Sequence, residues 1–216
     1  MESINLVDKV AIFCAKRCSG KSELIKYLIS CYKTEWNKIY VVSPTETVNS
    51  FYKKAGIADD NMIFEEWSET WIQSLITKMT TINANKAKEE RRKILLICDD
   101  VAADKNFHTS KMLKILVARC RHVNITLIFT IQHLTMLPPI CRSNSDYVFL
   151  GQLNNASVNI ACDEFVAGNI DKRQFLQIYH KNTGNFNFLV INQNSIKDNS
   201  NLNEIYGVIR VAEGFI

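Results

Sequence analysis

The chain has 216 residues, of which 47% are hydrophobic and 22% are charged, a composition that is typical of a globular domain and excludes a disordered chain. No apolar stretch approaches the roughly 18 residues that a membrane-spanning helix needs, and no basic segment precedes the short apolar run near the N-terminus. We therefore expect a soluble protein without a signal peptide or a membrane partner. The net charge of +4 is compatible with a nucleic-acid partner but does not require one.

The seven cysteines and four histidines predict neither a disulfide framework nor a zinc site. The number of cysteines is odd, no Cys-x-x-Cys pair occurs, and several of them lie in apolar runs. We expect reduced, mostly buried thiols and structural histidines.

A strand, a loop and a helix N-terminus follow one another in the first part of the chain. The strand is the apolar run Val10–Cys14, and the helix continues over 23–32 with its apolar residues on one face. Backbone N–H groups at such a helix start bind phosphate, so the pattern predicts an ATP or GTP site. Lys21 would contact the β- and γ-phosphates, and Ser22 would bind Mg²⁺. The predicted nucleotide-binding residues of this phosphate loop are Ala15, Arg17, Cys18, Ser19, Gly20, Lys21 and Ser22.

One position of this loop departs from the usual pattern. Ala15 stands where glycine is usual, and alanine fits there only if its φ is negative. The alternative interpretation is a chance Gly-Lys-Ser on an ordinary strand-to-helix turn.

The next segment continues the alternation of strands and helices. A β-branched strand is predicted at 38–42 and a short one at 63–64. Apolar residues from Trp67 to Met79 recur at helical spacing and predict an amphipathic helix packed on the sheet. The charge run 86–93 is a solvated segment or part of a subunit interface.

A second apolar strand, 94–100, ends in two carboxylates, Asp99 and Asp100. A run that is apolar throughout is typical of a central parallel strand, and acidic residues at its tip would lie beside the phosphate loop. We predict that Asp99 holds Mg²⁺ through water and that Asp100 orients or deprotonates the attacking water. The alternative is a turn in which aspartate bonds its own backbone.

A helix and a strand tipped by glutamine come next. Ser110 is the predicted N-cap of a helix over 110–120, and an apolar strand over 123–131 is followed by Gln132. An amide at this position suits contact with the γ-phosphate or the attacking water. Simple surface exposure of Gln132 is the alternative.

The last third of the chain carries weaker signals. Helices are predicted over 157–167 and 171–180, and a strand over 186–191 is expected to be an edge or final strand. The segment after 192 is rich in asparagine and ends in a small apolar group that packs on the core, on another subunit or on nothing. We expect one domain over 1–216, with 195–216 as a possible tail or interface segment.

Four motifs in this order carry a family resemblance. The segments AKRCSGKS, ILLICDDV, ARCRHVNITLIFTIQH and LPPICRSNSDYVFL resemble the genome-packaging ATPases of large double-stranded DNA viruses, the poxvirus-type branch of the FtsK–HerA superfamily. The matching positions are Asp99-Asp100-Val101, Arg121-His122-Val123-Asn124, Gln132 and Arg142-Ser143-Asn144. The resemblance covers about 10–150.

The resemblance implies a fold and an assembly. The fold is a P-loop NTPase of the ASCE, RecA-like type, an α/β domain with a mostly parallel sheet flanked by helices, in which the glutamine strand lies between the P-loop strand and the acidic strand. Members assemble as homo-oligomeric rings, hexamers or pentamers, and DNA passes through the pore. The resemblance also implies a capsid or portal protein as partner, and a location in the virion or at the assembly site in the host cytoplasm.

In such rings an arginine of one subunit completes the site of its neighbour. The resemblance makes Arg121 the first candidate for this catalytic role, and Arg119 and Arg142 are the others. Double-stranded DNA would be held by its backbone, independently of sequence, and the residues Lys53, Lys54 and Lys105 are candidate contacts.

Two other functions remain open from the sequence. A small-molecule nucleoside or nucleotide kinase shares the phosphate loop and the chain length, but no arginine-bearing lid is evident. A P-loop scaffold that binds nucleotide without hydrolysing it is suggested by Ala15.

Overall fold

The computed structural model describes residues 4–101, 104–166, 170–195 and 202–211. Its eight strands are β1 (Val10–Cys14), β2 (Lys38–Val42), β3 (Ile63–Phe64), β4 (Ile94–Asp99), β5 (Ile125–Ile131), β6 (Tyr147–Leu150), β7 (Asn187–Asn192) and β8 (Tyr206–Arg210). The longer helices are α1 (Lys21–Tyr32), α4 (Glu69–Asn83), α6 (Lys111–Arg119), α8 (Asn155–Phe165) and α9 (Lys172–Asn182). The short helices are α2 (Glu46–Asn49), α3 (Phe51–Lys54), α5 (Lys105–Thr109), α7 (Pro139–Ser143) and α10 (Leu202–Ile205).

The strands form one sheet in the order β3-β2-β4-β5-β1-β6-β7-β8. The six strands from β3 to β6 run parallel, and β7 and β8 are antiparallel to their neighbours. The glutamine-tipped strand β5 lies between β1 and β4, which confirms the predicted P-loop architecture. Because these strands are parallel, the residues that follow β1, β4 and β5 meet at one edge of the sheet.

Alternation along the central strands divides the core between the two faces of the sheet. On β1, Val10 and Ile12 face one cluster of buried side chains, and Ala11 and Phe13 face the other. The first cluster includes apolar residues of α4, α6, α8 and α9, and the second includes those of α1. Both faces are covered by helices, which is why the central strands are apolar throughout.

Several predicted elements differ from the structure. β7 is not an edge strand, because Tyr206–Arg210 of the predicted tail pairs with its outer side as β8. Trp67 precedes α4, and its indole N–H donates to Ser110 Oγ at 3.0 Å. β5 begins two residues later than predicted, because Asn124 adopts a left-handed conformation (φ 56°) after a 3-10 turn.

The remaining predictions concern local features. Ser110 caps α6 by accepting from Leu113 N, as predicted. The end of the predicted helix over 157–167 lies partly outside the described residues. Among the helices of the described ranges, none is long and apolar enough to cross a membrane.

Candidate functional site

The phosphate loop connects β1 to α1, and its first two residues are hydrogen-bonded to the end of β5 and to the segment that follows β6. Ala15 N donates to Ile131 O at 3.2 Å, and Lys16 N donates to Gln152 O at 2.9 Å. The loop turns into α1 through Gly20, whose φ of 84° favours glycine. A Cβ at Gly20 would also lie 3.0 Å from Phe186 Cδ1. The glycine therefore serves both the backbone turn and the close approach of the chain before β7.

Lys21 lies across the loop with its ammonium group on backbone carbonyls. Its Nζ donates to Ala15 O at 2.6 Å and to Lys16 O at 2.9 Å. Burial lowers the pKa of Lys21, and the nearby carboxylates of Asp100 and Asp99 oppose that shift. The amine is thus held close to both acidic residues, in position to exchange the two carbonyl oxygens for phosphate oxygens.

The other loop residues differ in exposure. Arg17 and Cys18 are exposed, and Cys18 has a left-handed backbone with φ 56°. The Ser19 hydroxyl donates to Lys16 O. Ser22, the second residue of α1, is half-buried.

Ala15 fits the loop because a glycine faces it. Ala15 is fully buried, and its φ is not positive. Its backbone therefore has the negative φ that alanine needs at this position. A Cβ on Gly151 would lie only 2.6 Å from Ala15 Cβ. The missing side chain of Gly151 thus provides the space that the extra methyl group of Ala15 occupies.

The two acidic residues lie at the tip of β4, beside the end of β5. Asp99 is paired in register with Thr130, whose hydroxyl donates to Asp99 Oδ1. The Ser43 hydroxyl lies 3.4 Å from the other carboxylate oxygen. Asp100 has φ 53°, and its backbone N–H donates to both the carbonyl and the hydroxyl oxygen of Thr130, with each N···O distance 3.3 Å. Both aspartates are therefore held by β5.

Burial raises the pKa of Asp99 above its ordinary value, and the hydrogen bond from Thr130 opposes the shift. The adjacent Asp100 adds to the rise, whereas Tyr52 and Lys21 reduce it. A carboxylate that is costly to ionise in the free protein is suited to bind a cation, because the cation supplies the missing countercharge.

The structure brings three residues to Asp99 that the sequence did not single out. Besides Thr130 and Ser43, the phenol of Tyr52 is completely buried next to Asp99. Burial raises the pKa of Tyr52 far above its usual range, and the Asp99 charge adds to it. Ser43 directly follows β2. Because the ends of parallel strands lie side by side, Ser43 could have been predicted to lie near Asp99. Thr130 and Tyr52 lie within other elements and carried no comparable signal.

Gln132 directly follows β5, between the strands that carry the phosphate loop and the acidic pair. Its side chain is half-buried. The order of the strands therefore brings Lys21, the acidic pair and Gln132 to the same edge of the sheet.

The candidate arginines do not join this group within one subunit. Arg121 precedes β5, at the opposite edge of the sheet, about 23 Å away along a strand of seven residues. Its guanidinium is half-exposed and lies 3.7 Å from a carboxylate oxygen of Asp146. Arg119 is exposed. Arg142 makes two hydrogen bonds to Glu164, at 2.6 and 2.7 Å, and donates to backbone carbonyls, so it is engaged within its own chain.

The donor atoms at this edge fit a Mg²⁺ ion. The hydroxyl of Ser22 and the carboxylates of Asp99 and Asp100 are oxygen ligands of the kind that Mg²⁺ prefers. Asp100 Oδ1 is buried and has no hydrogen-bond partner within the described part of the chain. Such an orphaned oxygen indicates a polar ligand that would satisfy it.

The chain is similar to proteins of several viruses. The family model "Poxvirus A32 protein" matches residues 5–206. The uncharacterized protein 075L of Invertebrate iridescent virus 6 is 33% identical over 187 residues, a match that covers 85% of this chain and 70% of that protein. The uncharacterized protein 015R of Frog virus 3 is 25% identical over 181 residues, which cover 84% of this chain and 55% of that protein. The chain thus spans little more than half of this second relative.

Solved structures show the same fold. The crystal structure of B204, the DNA-packaging ATPase from Sulfolobus Turreted Icosahedral Virus, superposes with a TM-score of 0.69 at 16% identity, covering 97% of this chain and 100% of that one. B204 from Sulfolobus turreted icosahedral virus 2, in complex with AMPPCP, gives a TM-score of 0.65 at 16% identity, with 94% and 97% of the two chains covered. This likeness confirms the P-loop ATPase fold.

The family match spans nearly the whole chain and includes the phosphate loop, the acidic strand tip and Gln132. It agrees with the resemblance that the four sequence motifs carry. The protein belongs to the poxvirus A32 protein family and has the fold of a P-loop ATPase.

Proposed function

We propose that this protein is an ATPase that drives double-stranded DNA into a viral capsid. The observation that carries the proposal is the meeting of Lys21, the pair Asp99-Asp100 and Gln132 at one edge of the sheet, in a member of the poxvirus A32 family. The name of the B204 structure, a DNA-packaging ATPase, supports the same function.

Binding of ATP begins with the phosphate loop. Lys21 leaves the carbonyl oxygens of Ala15 and Lys16 and contacts the β- and γ-phosphates, while the N–H groups at the start of α1 bind phosphate oxygens. Ser22 and Asp99 would hold Mg²⁺, which neutralises phosphate charge when it is bound. Ser43 and Thr130 keep the Asp99 carboxylate in one orientation.

Hydrolysis requires a water molecule in line with the γ-phosphorus. Asp100 orients this water and accepts its proton, and the Gln132 amide holds it by a hydrogen bond. The new P–O bond forms as the bond to the ADP oxygen breaks, so that ADP and phosphate are the products. Arg121 of a neighbouring subunit would stabilise the charge on the transferring group.

Translocation would couple this chemistry to a ring of identical subunits. Nucleotide bound between subunits orders the interface and hydrolysis releases it, so that each subunit moves in turn. The pore would hold the DNA backbone independently of sequence, and a capsid or portal protein would dock the ring at an assembly site in the host cytoplasm or in the virion. Lys53, which pairs with Asp60 at 2.7 Å, and the exposed Lys105 remain candidates for DNA contact.

The test is steady-state ATP hydrolysis with Mg²⁺ at low salt, with and without long double-stranded DNA. We expect turnover that rises with DNA and is lost in Lys21→Ala, whereas Lys26→Ala on the same helix keeps it. Asp100→Asn should bind ATP and fail to hydrolyse it. Because backbone contacts release counterions, the stimulation should weaken as salt rises.

Three results would contradict the proposal in different ways. A phosphorylated nucleoside product, with no effect of DNA, would indicate a kinase. Tight ATP binding without turnover, at protein concentrations where rings form, would indicate a scaffold. Turnover retained in Asp100→Asn would exclude only the role assigned to Asp100 and would leave the rest of the proposal intact.

A further inference from the structure

A groove lies at the end of the sheet where the parallel strands begin, opposite the end that carries the nucleotide site. It is formed by the beginnings of β2 and β4 on one side and by α4 on the other, and its volume is about 330 Å³. A cavity of this size holds one or two side chains or a small ligand. We name it the α4 groove.

The α4 groove has an apolar floor. The floor is formed by the side chains of Tyr40, Leu75, Met79, Ile82 and Ile94. Tyr40 is fixed there by aromatic neighbours, with ring centroids 5.4 Å from Trp71 and 6.4 Å from Phe64. Ile82 is only half-buried, so part of this floor is open to solvent.

The rim of the groove is basic. Lys38, Lys78 and Arg92 line it together with Asn37, and no carboxylate is among the lining residues that the structure describes. Within the described ranges, none of these three cations is in an ion pair. The neighbouring Lys93, in contrast, pairs with Glu35 at 3.4 Å. The backbone of Arg92 is held by two hydrogen bonds to Asn83, which fixes the origin of its side chain.

The groove runs beside a stretch of β2 that lacks an outer strand. The ladder between β2 and β3 joins only Val41 to Ile63 and Val42 to Phe64. Residues 38–40 pair with β4 on the inner side, and in the described part of the chain no strand covers their outer side. An extended peptide is the ligand that satisfies such a strand edge, through main-chain hydrogen bonds.

These features together specify a class of ligand. Three cations that have no carboxylate partner among the described residues favour an anion, and an apolar floor favours a hydrophobic side chain. A DNA backbone offers the charge but nothing to fill the floor. We propose that the α4 groove binds an acidic, extended peptide segment of a partner protein, with an apolar side chain on the floor and flanking carboxylates on Lys38, Lys78 and Arg92.

Selection from a phage-displayed library of random peptides on the purified protein tests this proposal without assuming a partner. We expect enriched peptides that combine Asp or Glu with a large apolar residue, and measured affinities for those peptides as synthetic, labelled probes. The triple variant Lys38→Glu, Lys78→Glu, Arg92→Glu should bind these probes at least about tenfold more weakly, because charge-assisted hydrogen bonds are lost.

Two matched variants separate charge from shape. Lys111→Glu, Lys114→Glu, Arg173→Glu changes the net charge equally at exposed positions outside the groove and should bind as the native chain does. Ile82→Trp fills the floor without changing charge and should also weaken binding. The triple variant of Lys38, Lys78 and Arg92 and the variant Ile82→Trp should both keep the ATPase activity of the isolated protein, since the groove lies at the other end of the strands.

The proposal would be overturned if no acidic-apolar pattern were enriched, or if enriched peptides bound the groove variants as tightly as the native chain. Loss of binding to a short DNA duplex in the groove triple variant, with peptide binding unchanged, would assign the basic rim to DNA instead. None of these outcomes bears on the proposed hydrolysis, which Lys21→Ala tests independently.

Discussion

Thr130 links the acidic pair to the strand that carries Gln132. Its hydroxyl donates to Asp99 and lies 3.3 Å from Asp100 N, so that one side chain fixes the geometry of both aspartates. Thr130 is buried and stands two residues before Gln132, which directly follows the same strand. We infer that it acts as a positioning residue, because it bonds the groups that would contact metal and water without reaching them itself.

Thr130→Val keeps the shape of the side chain and removes the hydroxyl. A hydrogen bond to a charged group contributes about 1.5–3 kcal/mol, so we expect kcat to fall roughly 10- to 100-fold. The Mg²⁺ concentration that gives half-maximal rate should rise as well, since Asp99 loses its fixed orientation. Titration of the ATPase rate with Mg²⁺ measures both effects.

Two variants control this experiment. Thr130→Ser restores the hydroxyl and should recover most of the rate and of the Mg²⁺ response. Thr126→Val removes another buried hydroxyl of β5, one that accepts from Asp8 N and Trp36 Nε1 far from the site. If Thr126→Val changed the Mg²⁺ response as much as Thr130→Val, the effect would be one of stability and not of position.

At the scale of elements, the junction of β1 and β6 explains how a P-loop tolerates alanine. Gly151 follows β6 and donates its N–H to Cys14 O at 3.0 Å, which draws the two strand ends together. The loop then depends on a small residue at Gly151 as much as on Gly20. A sequence pattern that inspects only the loop does not include this position.

Gly151→Ala should destabilise the protein. The new methyl group would lie 2.6 Å from Ala15 Cβ and 2.9 Å from Phe188 Cε1, and overpacking of this kind costs about 1–3 kcal/mol. The melting temperature should fall by about 2–4 °C for each kcal/mol lost in a chain of this length. Thermal unfolding monitored by circular dichroism measures the change.

The double variant Ala15→Gly, Gly151→Ala tests the pairing of the two positions. Removing the Ala15 methyl group relieves one of the two close contacts, so the double variant should melt above Gly151→Ala alone. Equal melting temperatures for the single and double variants would mean that the contact with Phe188 dominates and that Ala15 and Gly151 are not coupled.

At the scale of the whole molecule, the position of Arg121 separates two explanations of its role. Within one chain it lies across the sheet from the nucleotide site, near Asp146. A role in the fold would depend on that ion pair, and a partly exposed pair of this kind contributes little. A role in hydrolysis requires the site of a neighbouring subunit.

Mixing two inactive variants tests the role of Arg121 in a neighbouring site. Lys21→Ala removes the nucleotide site of a subunit, and Arg121→Ala removes its arginine. If the chains assemble as the proposed ring, an intact site of an Arg121→Ala subunit meets the arginine of a Lys21→Ala subunit, so we expect part of the ATPase activity to return.

The result depends on exchange of subunits between the two variants. The native protein, treated in the same way, serves as the control. Each variant alone should remain inactive at the same total concentration. Recovery would be absent if Arg121 acted only inside its own chain, and Asp146→Asn would then reduce activity as strongly as Arg121→Ala does. Repeating the mixture with Arg119→Ala tests the other exposed candidate.

The sequence predicted the elements that carry the site because each of them has a strong local signal. The apolar runs of β1, β4 and β5 are buried on both faces, so composition alone distinguishes them, and the polar residues at their tips stand out against that background. The family resemblance then supplied the strand order, which the structure confirms. The roles of Lys21, Asp100, Gln132 and Arg121 in hydrolysis remain predictions.

Two features of the fold were not predicted because they depend on contacts that are distant in sequence. β7 was predicted at the edge because the pairing of Tyr206–Arg210 outside it has no local signal. The short helices α2 and α3 place Tyr52 beside Asp99. Each has only four residues, which is too short for a helical pattern of apolar residues to be recognised in the sequence.

The central strands β1, β4 and β5, the phosphate loop and the acidic pair could be predicted from the amino-acid sequence, since hydrophobic burial and local hydrogen bonding act over a few residues. Their surroundings became visible only in the folded chain: the glycine that accommodates Ala15, the hydroxyls that hold Asp99, and the basic groove beside α4. Each of these joins residues from different elements, and their free energy exists only when the sheet has formed, so no local pattern encodes them.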